Sequence, residues 1–479
     1  MYFPGSTAYL FSLISERVIS LLLVKFLIQD ISPEAFGLWA QIVSFSGLLH
    51  VLIMFRLDNT QIAVYAGILA RYKKAVFLFP LCVIFFSTSV AFLFVVSFEH
   101  SLALFVFGEA DQAHLLLPLL LFSASEAICA MSYAFLRSAQ RQRLLAVLYF
   151  LRFAGRSLLL MLMLGPLEMS LGASVTVLAC YGLIICYVGF LPEEFSIPEK
   201  NIIFSRWQSL KREASAQLSI AVIYWALANI DKYVILYFSN ISEVASVAFL
   251  LGVSAPIGLV YSVFQQALFP ALAKANKTQG VRFDELSSEF FCVNLFLGIG
   301  AVAGLTAISP LVLLLMGSNQ LGVGQIEFFL VGILMLLTNL EQVLGSLLAA
   351  KQQSHKHLRI ATGCLAFLLV LLVLLTPKFG IMGVLFARIV ASIVVIMMLE
   401  KKTGQRVVSG VNGKRLVYWI FSAVVMYFLV MNILSQQILE MRWGGALLLI
   451  LTGALLYSVL NISYISRVVL PFLFRNYAA

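Results

Sequence analysis

Two arginines, Arg152 and Arg156, stand four residues apart in an apolar stretch, with Tyr149 three positions before the first. On a helix those spacings put all three side chains on one face. At ~1.5 Å per residue, Arg156 lies ~18 Å from the inner end of its segment, near the middle of a bilayer. Guanidinium groups one turn apart repel unless anions lie near them. Either Glu126 or Glu16 pairs with them structurally, or they line a cavity and grip an anionic substrate. A planar fork of five donors suits phosphate oxygens. A second group of polar residues falls in the apolar run 214–273. There Trp225, Asn229 and Lys232 share one stripe, and Asp231 points ~100° away. Arg388 is the single charge of GVLFARIVASIVV. Arg152, Arg156, Lys232, Arg17 and Arg388, with Tyr149 and Asn229, are therefore the candidate anion-binding residues. Glu126, Glu341, Asp231 and Glu16 are candidates for proton or cation coupling, or for structural pairing, because a desolvated carboxylate can bind and release a proton.

Such residues need positioning by elements that tolerate a membrane. The hydrophobic fraction is 62%, charged residues make up 11%, and the mean hydropathy is +1.00. Apolar runs of about 20 residues, long enough to cross ~30 Å of hydrocarbon as helix, recur from end to end. The fold class expected is an all-α polytopic membrane protein with fourteen transmembrane helices. They are placed at 8–28, 36–57, 75–97, 114–136, 144–164, 169–191, 216–239, 244–273, 289–315, 325–350, 358–376, 379–400, 415–434 and 443–464. Ten-residue alternating segments of a β-barrel do not dominate. MYFPGSTAYL has no basic start, so the first helix is expected to remain in place.

The charge pattern sets the orientation. Net charge is +10, which in a soluble protein would suggest nucleic acid. Here basic loops read as the topology signal, and no nucleic-acid partner is expected. With the N-terminus cytoplasmic, twenty-three basic residues fall on inner connections and two, Lys378 and Arg442, on outer ones. Both termini are then cytoplasmic. The six cysteines lie in apolar segments without CxxC spacing and read as free thiols, with no metal.

A shift of 215 residues superposes Glu16–Arg17 on Asp231–Lys232, Glu126 on Glu341 and Gly37 on Gly252. The chain thus reads as two parallel six-helix repeats, 1–191 and 214–400, joined by a cytoplasmic linker 192–213. Helices 13 and 14 and a short tail occupy 401–479. Parallel repeats imply a pseudo-two-fold axis along the membrane normal, with a transport site at their interface. Arg152 and Arg156 map onto Phe367 and Leu371, so the expected cavity is basic on one side only. Gly300 and Gly304 form a GxxxG suited to helix contact. No GxxxxGK[ST] occurs, so no ATP-driven pump and no cofactor is expected.

Three stretches carry a family resemblance: FGLWAQIVSFSGLLHVLIMFRLDNTQIA at 36–63, DKYVILYFSNISEVASVAFLLGVSAPIGLVYSVFQQALFPALA at 231–273, and LTPKFGIMGVLFARIVASIVV at 375–395. In order and spacing they resemble the Wzx-type flippases of the polysaccharide transporter family. That family belongs to a superfamily with the multidrug and toxic-compound extruders. Val247–Ala248–Phe249 and Val384 depart from its pattern. The resemblance implies a MATE-like fold. It also implies translocation of undecaprenyl-pyrophosphate-linked oligosaccharide repeat units, for O-antigen, capsule or exopolysaccharide, across a bacterial inner membrane. Membrane lipids and a downstream polymerase complex would be partners. A cation-coupled multidrug antiporter is the first alternative, disfavoured by the surplus of buried arginine, and a lipid II flippase is the second. A membrane enzyme would need a larger outer loop than 98–113.

Overall fold

The computed structural model describes residues 15–16, 18–58, 73–138, 141–190, 200–258, 280–316, 321–351, 353–403, 411–437 and 443–469. Among them the regular structure is helical throughout. The chain divides into two compact units, Met1–Ala245 and Ser246–Ala479.

In the first unit, α1 (18–26) runs into a π-helical turn, Leu27–Ile31, before α2, Pro33–Met54. Ser32 caps α2 by accepting from the Ala35 N–H at 3.1 Å, and Pro33 at the first position needs no donor. Then come α3 (Lys73–Ser97), a short α4 (Glu99–Phe107), α5 (Leu116–Ser138), α6 (Gln142–Leu164), α7 (Leu171–Phe190) and α8 (Lys200–Phe238). Helix α5 is the hub, packing against α2, α3, α6 and α7. The start of α9 (Ile241–Gly258) closes the unit. There the Ile241 carbonyl lies where a Cβ on Gly37 would stand, and the Ser242 hydroxyl donates to Glu34 Oε1 at 2.9 Å. Only glycine allows α2 that approach. A methyl on Gly252, 215 positions further on, would meet no described atom within 4 Å.

The second unit is built on α10 (Gly280–Met316), which packs against α11 (Gln325–Ala350), α13 (Gly413–Gln437) and α14 (Trp443–Leu460). Its core holds Phe290, Phe291, Phe296 and Trp419. The Tyr457 ring of α14 stacks on Phe296 at 5.0 Å, and its hydroxyl donates to the Phe296 carbonyl at 2.9 Å. This contact runs over Gly300, where any side chain would meet the Tyr457 ring, so the first glycine of the GxxxG lies at a helix contact. Helix α12 (Ser354–Thr403) is broken at Gly380, with φ 52° and ψ −130°, just after Pro377. The break falls at the predicted junction of 358–376 and 379–400.

Among the described residues eleven helices are long and apolar enough to cross a membrane, or twelve if the bent pair at Leu449–Val469 is one span. One of these, Lys356–Thr403, is 48 residues long, about twice a single crossing. Predicted helix 8–28 is described only from residue 15. Large apolar side chains point outward from the helices, Phe85 and Phe86 being 76% and 70% exposed. Water would penalise such a surface and lipid does not, so the chain is a multi-pass membrane protein.

Two expectations change. The sequence predicts a linker at 192–213, but from Lys200 onward that stretch is continuous with α8. No glycine or proline interrupts Lys200–Phe238, and its charged residues favour helix as readily as loop. The cysteines are not all free. Cys129 of α5 and Cys186 of α7 are joined as a disulfide, Cα to Cα 5.3 Å, while Cys82, Cys180, Cys292 and Cys364 are free. A separation of 57 residues carries no local signal for that pairing.

Candidate functional site

The arginine pair projects from α6 toward the hub helix. Arg152 Nη2 is ion-paired with Glu126 Oε2, and Arg156 Nη1 stands 3.6 Å from Glu126 Oε1. One carboxylate on α5 thus holds two guanidinium groups. All three side chains are largely buried, at 7%, 18% and 21% exposed for Arg152, Arg156 and Glu126.

Aromatic rings wall the cluster. The Arg152 guanidinium lies 5.3 Å from the centroids of Tyr133 and Phe153. That of Arg156 lies 4.9 Å from Phe153 and 5.7 Å from Phe122. Tyr149 packs against two of these rings, 4.6 Å from Phe153 and 5.6 Å from Tyr133. Ring faces attract cations and order a planar guanidinium without consuming its N–H donors. Among the described residues the Nε atoms of both arginines have no acceptor. A buried donor left without an acceptor costs ~1–3 kcal/mol, so the cluster is suited to receive further oxygen atoms.

A cavity of about 150 Å³ opens beside it, lined by His50, Asp58, Glu126, Tyr133, Arg137 and Arg152, with Ala130 and Ala134 between them. Asp58 faces Arg56 at 3.9 Å. The turn that delivers them is strained: Phe55 and Arg56 follow one another in the left-handed region, at φ 52° and 56°. Each such residue costs ~1–2 kcal/mol, and strain of this kind gathers at working sites.

The second predicted group forms a network on α8. Trp225 Nε1 donates to the Ser44 carbonyl at 2.8 Å, and Asn229 Nδ2 donates to the Trp225 carbonyl at 3.0 Å. Asn229 Oδ1 accepts from Ser44 Oγ at 2.9 Å and from Lys232 Nζ at 3.1 Å. Lys232 is thereby aimed by Asn229, which α2 in turn fixes. Asp231 is 1% exposed, its Oδ1 accepting from the Lys232 N–H at 2.9 Å. Ser44 and His50 share α2 and are ~9 Å apart along its axis, so one helix serves both groups.

Of the predicted residues, the structure gathers Arg152, Arg156, Tyr149 and Glu126 in one cluster. Glu16 is close enough to Arg156 to act on it electrostatically. Lys232, Asn229 and Asp231 belong to the network on α8. Arg17 lies outside the described residues. Glu341 and Arg388 belong to the second unit, where they interact electrostatically. The position 215 before Arg388 is Ala173, so that contact has no counterpart across the repeat.

Four polar lining residues are absent from the predicted set: His50, Tyr133, Asp58 and Arg137. His50 is the one histidine inside the predicted span 36–57. That isolation in an apolar helix is the available signal.

No family model matches the chain, and no curated protein matches it. Solved structures do. Over 96% of this chain and 98% of the other, the fold is similar to the inward closed conformation of the lipid II flippase MurJ, with a TM-score of 0.68 and 14% identity. It is similar to the inward-facing conformation of a multidrug resistance MATE family transporter of the MOP superfamily, TM-score 0.62, over 83% of this chain and 96% of that one at 14% identity. The MATE multidrug transporter DinF-BH, solved in complex with rhodamine 6G, gives a TM-score of 0.61 over 85% and 96% at 15% identity. The likeness to these transporters is one of fold.

Proposed function

We propose that the protein is a flippase that moves undecaprenyl-pyrophosphate-linked oligosaccharide repeat units across the bacterial inner membrane by alternating access. Both termini would be cytoplasmic, and the role is transport rather than catalysis. The observation that carries this reading is the buried arginine pair, Arg152 and Arg156, whose two Nε donors lack acceptors among the described residues. A pyrophosphate diester supplies two negative charges and an array of oxygens. Paired N–H forks match it in shape and charge. Its sugars cannot enter hydrocarbon unaided, whereas its isoprenoid tail can stay there.

In this scheme Arg152 and Arg156 hold the pyrophosphate and Tyr149 keeps their planes in place. Lys232, positioned by Asn229, adds a mobile point charge, and Arg17 and Arg388 are further head-group residues. Glu126 is the counter-ion of the arginines between transport cycles. Asp231, Glu16 and Glu341 pair structurally or take part in ion coupling. A cationic dye such as the rhodamine 6G of the DinF-BH complex would meet like charge at the arginine pair.

A second reading is favoured by the similarity to MurJ across 96% of the chain. Lipid II also carries a polyprenyl pyrophosphate, so the cluster suits both.

The test is flipping or transport in proteoliposomes of three fluorescent probes: a polyprenyl-pyrophosphate oligosaccharide, lipid II and rhodamine 6G. Flipping of the oligosaccharide lipid by wild type, and its loss in a folded R152A/R156A variant, is the expected result. Preference for lipid II moves the protein to the second reading. Transport of the rhodamine alone refutes both.

A further inference from the structure

We propose that His50 is the proton-binding residue that frees the arginine pair for its anion. The inference rests on the pyrophosphate reading above and adds a residue and a regulating ion to that site. It starts from a conflict of charge. In this structure Glu126 occupies both guanidinium groups. A pyrophosphate that took those same N–H forks would stand against the Glu126 carboxylate, so Glu126 must turn elsewhere as the anion arrives. Its cavity offers the place.

His50 lies on α2 and lines the same 150 Å³ space as Glu126. The groups facing it come from three elements. Glu126, Tyr133 and Arg137 come from α5, and Arg152 from α6. Arg56 and Asp58 come from the strained turn after α2. Beside Tyr133, the groups facing it are two carboxyl and three guanidinium groups. The imidazole is the one member of this set whose ordinary titration, near pH ~6.5, falls in the working range of a cell.

The proton balance is simple. A proton from water adds to the unprotonated ring nitrogen of His50 and gives an imidazolium with a new N–H donor. Glu126 exchanges guanidinium N–H groups for that donor and stays ionised. The arginines then take the pyrophosphate oxygens. When the anion leaves, Glu126 returns to the arginines and His50 gives the proton back to water. On uptake an O–H bond of hydronium breaks as the N–H bond forms, release reverses this, and no other covalent bond changes. One proton is taken up per head group bound, so binding strengthens as pH falls.

The experiment uses the purified full-length protein in detergent and a short-chain probe, farnesyl-pyrophosphate-N-acetylglucosamine. Its phosphates are diesters and lose no proton between about pH 5 and 9, so any slope belongs to the protein. One-proton linkage allows a change of at most about tenfold in Kd per pH unit. Wild type should bind roughly tenfold or more tightly at pH 6 than at pH 8. At pH 7.5 in weak buffer an indicator dye should report about one proton taken up per probe bound. His50→Gln should bind weakly with a flat profile and take up no proton. His50→Lys, a fixed cation, should bind tightly and flat. His50→Asn replaces the glutamine variant if that one does not fold.

A slope or proton uptake that survives in His50→Gln overturns the assignment while leaving the pyrophosphate site intact. So does a flat wild-type profile. Failure of wild type to bind the probe at any pH overturns the pyrophosphate reading and, with it, this one.

Discussion

Glu126→Gln is the perturbation that separates a tightly coupled charge cluster from three independent side chains. At an effective dielectric constant of 20, unit charges ~4 Å apart attract by ~4 kcal/mol. Glu126 makes two such contacts, the one to Arg156 at 3.6 Å. Guanidinium groups one helical turn apart, at ~6 Å, repel by ~3 kcal/mol on the same scale. Removing the carboxylate therefore cancels both attractions and leaves the repulsion. Relaxation and water entry reduce the observed loss to the ~3–5 kcal/mol typical of breaking one side of a buried pair. In Glu126→Gln/Arg156→Gln the repulsion goes as well, so the double variant loses less than the sum of its parts. A coupling of ~2–3 kcal/mol is expected from the cycle. Reversible unfolding in mixed micelles supplies the three differences. A single variant within ~0.5 kcal/mol of wild type, or a cycle that is additive within that margin, would refute the reasoning, since additivity is the behaviour of independent sites.

Three further outcomes follow from contacts described above and are read by thermal melting in detergent or by transport. Gly37→Val should destabilise by ~1–3 kcal/mol, as overpacking against the Ile241 carbonyl does, whereas Gly252→Ala should be neutral or gain up to ~1 kcal/mol from helix propensity; equal effects would contradict the packing. Tyr457→Phe should cost about 1 kcal/mol for the hydroxyl given to Phe296, and Tyr457→Ala ~3–5 kcal/mol as the stacked ring is lost; a phenylalanine variant as damaged as alanine would show the hydroxyl, not the ring, to be decisive. Asn229→Ala removes the acceptor shared by Ser44 and Lys232, so flipping of the oligosaccharide lipid should fall severalfold with folding kept; unchanged flipping would remove Lys232 from the head-group set.

What the sequence discloses depends on whether the signal is local. Arg152 and Arg156 announce a shared face because i and i+4 coincide on any helix, and Trp225, Asn229 and Lys232 do so for the same reason. The identity of their partners is another matter. The sequence offers the arginines two acids, and it is the packing of α6 on α5 that sets Glu126 against both, with Glu16 acting on Arg156 as well. His50 shows in the sequence only as an isolated histidine of an apolar helix, because its partners lie on α5 and α6 and not among its own neighbours along the chain. The break in α12 is visible because proline and glycine mark it directly. The stretch after Lys200 misleads because charge density suggests a loop, while helix needs only the absence of breakers. The 215-residue spacing is legible, yet Gly37 and Gly252 do different work, so matching positions do not guarantee matching roles.

Helix α8 has a consequence for how this gene can vary. Its 39 residues make an unbroken shaft ~58 Å long, about twice the hydrocarbon thickness. Along such a shaft a deleted residue cannot be absorbed locally. It turns one end against the other by ~100°, so either Trp225 and Asn229 leave Ser44 or the Lys200 end of the helix is rotated. Away from Trp225, Asn229, Asp231 and Lys232, substitutions should be tolerated more readily than insertions and deletions, which should be purged unless they come in multiples close to a whole number of turns. A segment whose composition looks like a dispensable spacer would then show fixed length across descendants of this sequence.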